Sequence, residues 1–346
     1  MASRLIRLCA GLLLIAAAHA ACSAPVPAPV QAGIADGRAE FRALFCGLLR
    51  RDRALDGADC HGWLRRFPDE AALAPKRPSF DAGPAANIVI VGGLFSDCLP
   101  TVPAFGDAVE PLRAMGYRVS HAPIKGRASA EANAAIIRAH VVQESAAMPN
   151  LPILIVAYSK GVSDTMTALA TFPELGEKVG ALISVAGVVN GSHAADQFLK
   201  IYDATAGLVP YSACPVGDGG EVRTLTHEYR RNWLATHLLP AGPLYFSIVA
   251  LPAPERVSAV LSVFHRSLSR TDPRNDGQMI YADAILPRSA LLGYANADHL
   301  AIALPFDSAM PNARLVGINR NDYPRAQLVE AAIRLAQARF AAGRRQ

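Results

Sequence analysis

The sequence has few lysines, little charge overall and no long apolar run. Only five of its 34 basic residues are Lys, and the formal net charge is +5 over 346 residues. Like charges never form a block longer than a few residues, so no nucleic-acid partner is indicated. Hydrophobic residues make up 51% of the chain and charged residues 18%, which excludes collagen, a coiled coil and wholesale disorder. The sequence is therefore that of a globular protein.

Metal-binding spacings are also missing. Neither a CxxC nor an HExxH motif occurs, so the spacing predicts no metal site, and no cofactor is expected. Cys46 and Cys60 flank a short Arg-rich turn and predict a local disulfide bridge.

The amino terminus carries an export signal. Arg4 and Arg7 precede an apolar stretch that ends at Ala18-His19-Ala20, which fits a signal peptide of residues 1–20. The stretch is shorter than the about 20 residues of a membrane-spanning helix. A competing cut before Cys22 resembles the end of a bacterial lipobox, which would tether the protein to a membrane by lipid. We expect an exported protein, either periplasmic or secreted, with the Cys22 anchor as an alternative, and a Pro-rich tether over residues 21–38.

Beyond the tether, the chain divides into an extension and a main domain. Residues 39–86 predict an N-terminal helical extension, an accessory hairpin with helices at Ala39–Leu49 and Cys60–Phe67. From residue 87 to 346, short apolar runs alternate with longer amphipathic ones, which predicts an α/β domain whose mostly parallel sheet has helices on both faces. Residues 194–243 break the alternation and predict a cap or lid inserted over the carboxyl edge of the sheet.

Ser159 lies between a predicted buried strand and a predicted helix. Small residues, Ala157 and Gly161, stand two positions before and after it, as the sharp turn of a nucleophile elbow requires. The alternative is a serine that merely caps the following helix.

A serine nucleophile needs a base, and the base needs an orienting carboxylate. Asp276, in an Asn-Asp-Gly turn, and His299, after the predicted last strand, follow Ser159 in the chain order of this arrangement. Asp272 and Asp283 are rival acids, and Asp298 stands beside the histidine. Other histidines do not follow the predicted last strand, among them His121, His193, His227, His237 and His265.

An oxyanion formed at Ser159 would need two N–H donors. The backbone N–H of Lys160 follows the nucleophile, and the N–H of Leu94 follows the glycine pair Gly92-Gly93 at the end of the first strong strand. These are the predicted oxyanion-hole donors, although a glycine pair after a strand is also typical of a plain turn.

These motifs resemble the α/β-hydrolase superfamily, in its bacterial lipase and esterase branch, over about residues 87–339. The resemblance rests on five segments: residues 91–95, residues 157–161, residues 275–277, the pair Asp298-His299, and a region at residues 185–196 that is similar to Gly-Ser-x-x-Ala-Asp. It implies an exported serine hydrolase of carboxylic esters, with Ser159, His299 and Asp276 as its triad. Small-molecule or lipid esters would be its substrates. Alternatives are a polyester depolymerase or an acyltransferase with the same triad, or a decayed hydrolase fold that only binds.

The same resemblance places the loops that carry Cys98 and Cys214 near the carboxyl edge of the sheet. We therefore expect a second bridge, Cys98–Cys214.

Overall fold

The computed structural model describes residues 29, 33–52, 60–70, 83, 85–205 and 217–343. The predicted signal peptide, Cys22, most of the predicted tether and Cys214 lie outside these residues. Eight strands form one sheet: β1 (Ala35–Asp36), β2 (Leu64–Arg65), β3 (Asn87–Val91), β4 (Arg118–His121), β5 (Ile153–Tyr158), β6 (Val179–Val185), β7 (Leu244–Ala250) and β8 (Ala290–Ala295).

The α-helices of the described residues are α1 (Arg38–Asp52), α2 (Gly106–Ala114), α3 (Ala130–Ala147), α4 (Lys160–Thr171), α5 (Leu175–Lys178), α6 (His193–Thr205), α7 (His227–Thr236), α8 (Ala259–Leu268), α9 (Phe306–Ala309) and α10 (Arg325–Gly343). Short 3₁₀ turns occupy Cys60–Gly62, Ser96–Cys98, Arg223–Leu225, Pro254–Arg256, Tyr281–Ala284 and Ala313–Val316. In the part of the chain that the structure describes, no helix is both long and apolar enough to cross a membrane.

The strand order is β1-β8-β7-β6-β5-β3-β4, and every neighbouring pair along it is parallel. Only β2, which pairs with β8 outside this order, is antiparallel. Alternate side chains of β3 lie on opposite faces of the sheet, and both faces are buried. Ile88 and Ile90 belong to one core cluster, and Val89 and Val91 belong to the other. The first core includes side chains of α1, α2 and α10, and the second those of α3 and α4. The predicted parallel sheet between two helix layers is confirmed.

The N-terminal segment is integrated into this sheet rather than appended to it. Strand β1 pairs with β8, although its residues fall inside the predicted tether. Helix α1 has the predicted apolar spacing, and its buried face packs against α10 and β8. The last turn of α1 also contacts α10, because the Arg51 guanidinium donates two hydrogen bonds to the Glu330 carboxylate at 2.8 and 2.9 Å. The sequence shows the apolar face of α1, but not the surface that covers it.

The predicted second helix at Cys60–Phe67 is wrong. A 3₁₀ turn is followed there by β2, which pairs with β8. The backbone N–H of Asn296 donates to the Trp63 carbonyl at 2.8 Å, so the end of β8 forms backbone hydrogen bonds with this segment. The mixed polar and apolar pattern of these eight residues is compatible with a helix or a strand. The segment forms a strand because the edge of β8 is open for pairing.

The predicted disulfide between Cys46 and Cys60 is confirmed, with Cα atoms 5.5 Å apart. It joins α1 to the start of the segment that carries β2. Cys98 is also disulfide-bonded. Its predicted partner, Cys214, lies outside the described residues, so that pairing stays a prediction.

Candidate active site

Ser159 occupies a sharp turn between β5 and α4. Its backbone has φ 52° and ψ −123°, a left-handed conformation that is rare for a residue with a side chain. The turn needs small neighbours: a Cβ on Gly161 would lie 2.1 Å from the Gly92 carbonyl oxygen. The strand, the turn and the close backbone approach are those that the sequence predicted for a nucleophile elbow.

The structure brings Ser159, His299 and Asp276 together. The distance from Ser159 Oγ to His299 Nε2 is 2.9 Å, and from His299 Nδ1 to Asp276 Oδ2 it is 2.7 Å. Because a carboxylate only accepts, Nδ1 carries the proton and donates it to Asp276, which leaves Nε2 free to accept from the serine hydroxyl. The exposed fractions are 6% for Ser159, 2% for His299 and 1% for Asp276, so the relay is shielded from water.

The loop of Asp276 is built to hold the carboxylate in place. Asp276 Oδ1 accepts from the backbone N–H groups of Gln278 and Met279 at 2.8 and 2.6 Å, which leaves Oδ2 for the histidine. Gly277 has φ +93°, as the turn requires. The backbone N–H of His299 donates to the Asp276 carbonyl at 3.0 Å, so the two loops are also joined directly.

Two further residues, Asp298 and Tyr158, hold the loop of His299, a role that no sequence motif indicates. The carboxylate of Asp298 accepts from the backbone N–H groups of Ser258 and Ala301 at 2.7 and 2.8 Å. Burial raises the pKa of Asp298, while these N–H donors act in the opposite direction. The Tyr158 hydroxyl donates to the His299 carbonyl at 2.8 Å. Asp298 is thus a loop anchor and does not contact the imidazole Nδ1.

The rival acids and bases of the sequence lie in other contacts. Asp272 pairs with Arg274 at 2.5 Å. His121 Nε2 lies 3.0 Å from the Ala104 carbonyl oxygen and donates to it. His193, His227 and Asp283 form a separate cluster, and His237 stacks on Trp233 with ring centroids 4.7 Å apart. His265 lies near the end of α8, where its carbonyl caps that helix.

The two predicted oxyanion donors belong to the residue after Ser159 and to the residue after Gly93. Lys160 is the first residue of α4, directly after Ser159. The loop before Leu94 passes close by, since a Cβ on Gly93 would lie 3.1 Å from Ser159 Cβ. The side chain of Lys160 is fully buried, and its ammonium lies 2.7 Å from both carboxylate oxygens of Asp164. That ion pair anchors the first turn of α4, so only the backbone of Lys160 is available to a substrate.

No protein-family model and no curated protein matches the sequence. Among solved structures, the chain is similar to a metagenomic carboxyl esterase, with 36% identity and a TM-score of 0.83, over 92% of this chain and 96% of that one. It shares its fold with a Bacillus licheniformis lipase in mature form, with 20% identity and a TM-score of 0.51, over 64% of this chain and 88% of that one. A further fold relative is lipase 1 from Pelosinus fermentans, with 12% identity and a TM-score of 0.51, over 74% of this chain and 98% of that one.

The first of these similarities spans almost the whole of both chains at an identity that indicates common descent. The two lipases show the same fold. The chain therefore belongs to the α/β-hydrolase superfamily and, within it, to the carboxylic ester hydrolases.

Proposed function

We propose that this protein is an exported serine esterase that cleaves carboxylic esters through an acyl-enzyme intermediate. The observation that carries the proposal is the continuous relay from Ser159 Oγ through the His299 imidazole to Asp276, with distances of 2.9 and 2.7 Å. The similar metagenomic protein is described as a carboxyl esterase, which supports the substrate class.

Each step follows from the donors and acceptors of the relay. Ser159 Oγ attacks the ester carbonyl carbon while His299 Nε2 takes the hydroxyl proton, and Asp276 stabilises the imidazolium through Nδ1–H. The C–O bond to the alcohol then breaks, and Nε2 returns the proton to the leaving oxygen. In the second half, Nε2 deprotonates a water that attacks the acyl carbon, and the acid leaves as Ser159 regains its proton.

The two backbone donors would stabilise the negative charge on the carbonyl oxygen. The N–H groups of Lys160 and Leu94 are proposed for this role because Lys160 directly follows Ser159 and Leu94 directly follows Gly93, whose backbone passes close to Ser159. Fixed donors of this kind need no reorganisation during the reaction, and each typically contributes about 10²–10³-fold in rate.

Export is supported by two independent features. Residues 1–20 have the composition of a signal peptide. The Cys46–Cys60 disulfide is of the kind that persists in oxidising compartments. Attachment to a membrane through Cys22 remains the alternative form of the exported protein.

The test replaces the nucleophile. Ser159→Ala should lower kcat/KM for p-nitrophenyl esters by about 10³-fold or more, because no acyl-enzyme can form. It should also abolish labelling by a fluorophosphonate probe, while the thermal midpoint stays close to that of the wild type.

A matched control lies one helical turn further along α4. Ser163 is fully buried, and its hydroxyl donates to the Val188 carbonyl instead of a histidine. Ser163→Ala should keep activity within threefold and should still label. Ser159→Ala activity within tenfold of wild type would remove Ser159 from the mechanism. A wild-type protein that neither labels nor cleaves any ester from acetyl to palmitoyl would indicate a decayed hydrolase that only binds.

A further inference from the structure

A second cluster of ionisable side chains lies apart from the triad. His193, His227 and Asp283 each offer one ligand atom, and these atoms all lie within 4.8 Å of one another. The distance from His227 Nε2 to Asp283 Oδ2 is 3.2 Å, and from His193 Nδ1 to the same oxygen it is 4.0 Å. None of the three has a part in the ester hydrolysis proposed above.

Outer partners fix the orientation of two of these side chains. His227 Nδ1 lies 2.6 Å from Asp196 Oδ2, so Nδ1 donates its proton to that carboxylate and Nε2 turns toward Asp283. The Asn190 amide donates to Asp283 Oδ1 at 2.8 Å, which leaves Oδ2 toward the histidines. A histidine whose far nitrogen is held by a carboxylate is the usual arrangement of a metal-bound imidazole in proteins.

The third side chain has an unused nitrogen. His193 Nδ1 is buried and has no hydrogen-bond partner among the described residues. The ring of His193 packs edge-on against that of His227, with centroids 4.3 Å apart, which holds it in the cluster. A buried nitrogen without a partner costs free energy, and a cation bound at the centre of the cluster would remove that cost.

The chemistry of the ligand set selects the class of cation. Imidazole and carboxylate together suit zinc and similar transition metals, whereas calcium and magnesium prefer ligand sets made of oxygen atoms. With metal–ligand distances of about 2.0–2.2 Å, the ligand atoms of a tetrahedral zinc lie roughly 3.3–3.5 Å apart. The distance of 3.2 Å between His227 Nε2 and Asp283 Oδ2 is just short of this spacing, and a small rotation of His193 would bring its 4.0 Å distance into it. Three protein ligands leave the fourth position to water.

We propose that His193, His227 and Asp283 bind one zinc-like divalent cation. The site joins three segments, because His193 begins α6, His227 begins α7, and Asp283 follows the catalytic-acid loop. The cation would fasten both described helices of the predicted insertion to the loop of Asp276. Its role is structural, since the cluster makes no contact with Ser159 within the described residues.

The direct test measures binding rather than activity. Tag-free protein, stripped with a chelator and returned to buffer at pH 7.5, is titrated with ZnCl₂ in a calorimeter and analysed for bound metal. We expect one equivalent of zinc with a dissociation constant in the micromolar range or tighter, and a thermal midpoint that rises by several degrees. Calcium or magnesium at the same concentration should leave the midpoint unchanged.

Variants then identify the ligands. His193→Ala should weaken zinc binding at least 100-fold, and because its ring is partly exposed the apo protein should fold as the wild type does. Asp196→Asn should weaken binding about 10–100-fold, because it loosens the imidazole rather than removing a ligand. His237→Ala is the matched control, a histidine that caps the same helix α7 and stacks on Trp233 outside the cluster, and it should bind as the wild type does.

Two results would overturn the proposal. If the wild type takes up no stoichiometric zinc, or if His193→Ala binds zinc as tightly as the wild type, the cluster is an ion-pair network in which a protonated His227 bridges Asp196 and Asp283. Ser159→Ala should bind zinc normally, so the outcome is independent of the proposed esterase function.

Discussion

At the scale of single residues, position rather than residue type separates Asp276, the acid that contacts the His299 imidazole, from its neighbours. Asp272 and Asp276 share the loop after α8, Asp298 directly precedes His299, and each of the three makes well-formed contacts. Only Asp276 reaches the imidazole Nδ1. The other two are used by an arginine and by backbone N–H groups.

Asp276→Asn should therefore lower kcat by about 10³–10⁴-fold, because an amide cannot hold the imidazole in the tautomer that accepts the serine proton. Steady-state kinetics on a p-nitrophenyl ester, with a thermal melt to verify folding, measure the effect. Asp272→Asn is the matched control from the same loop, and it should stay within threefold of the wild type. A larger loss of kcat at Asp272 than at Asp276 would show that Asp276 is not the residue that orients the imidazole.

The sequence alone could predict that Ser159, Asp276 and His299 meet, because their chain order and their placement after strands are local features. It could not identify Asp298 or Tyr158 as anchors of the histidine loop, because their partners are backbone groups that meet only in the folded chain. The His193–His227–Asp283 cluster could not be predicted from the sequence for the same reason. Its members come from three distant segments, whereas metal-motif spacings detect ligands that are close in sequence.

At the scale of elements, α1 shows how much of the fold depends on the N-terminal segment. Leu48 is fully buried in the core that α1 shares with α10. Leu48→Ala should lower the free energy of unfolding by about 2–5 kcal/mol, since it leaves a cavity in a packed core. Urea unfolding followed by circular dichroism measures this.

Arg50→Ala provides the comparison, because Arg50 is exposed on the same helix and should change stability by less than about 0.5 kcal/mol. Equal, small effects at both positions would mean that α1 unfolds without disturbing the sheet, as an accessory hairpin would.

Element types were predictable where the apolar pattern was strong. The buried strand β3 ends just before the glycine pair Gly92-Gly93, and β5 and α4 lie on either side of Ser159, as the sequence predicted. The segment after Cys60 forms a strand rather than the predicted helix. Its eight residues have only a weak helix preference, which pairing with the open edge of β8 outweighs.

At the scale of the whole molecule, partly buried histidines make stability depend on pH. Burial lowers the pKa of the imidazoles of His121 and His140 below the ordinary value of 6.5. In the unfolded chain these groups bind protons as the pH falls through about 6.5, whereas in the folded protein they bind protons only at a lower pH. Their contribution to stability is thus fully present above about pH 6.5 and is lost as the pH falls below it.

We expect the free energy of unfolding to decrease between pH 6.5 and pH 5. His121→Gln, whose amide can still donate to the Ala104 carbonyl, should make that decrease shallower by up to about 1.4 kcal/mol per pH unit. Urea titrations at half-unit intervals of pH, with a chelator present, would measure both slopes. An unchanged slope in the variant would show that His121 takes up protons equally in both states.

The pairing of β1 with β8 also determines when the protein can fold. Ala35 finds its strand partner at Ala290, and α1 packs against α10, the last helix of the described chain. A chain that is synthesised or threaded through a membrane from its N terminus therefore cannot finish its sheet until nearly all of it has emerged. During that interval the apolar face of α1 has no partner, and it is the surface that a chaperone holding the nascent chain would be expected to bind.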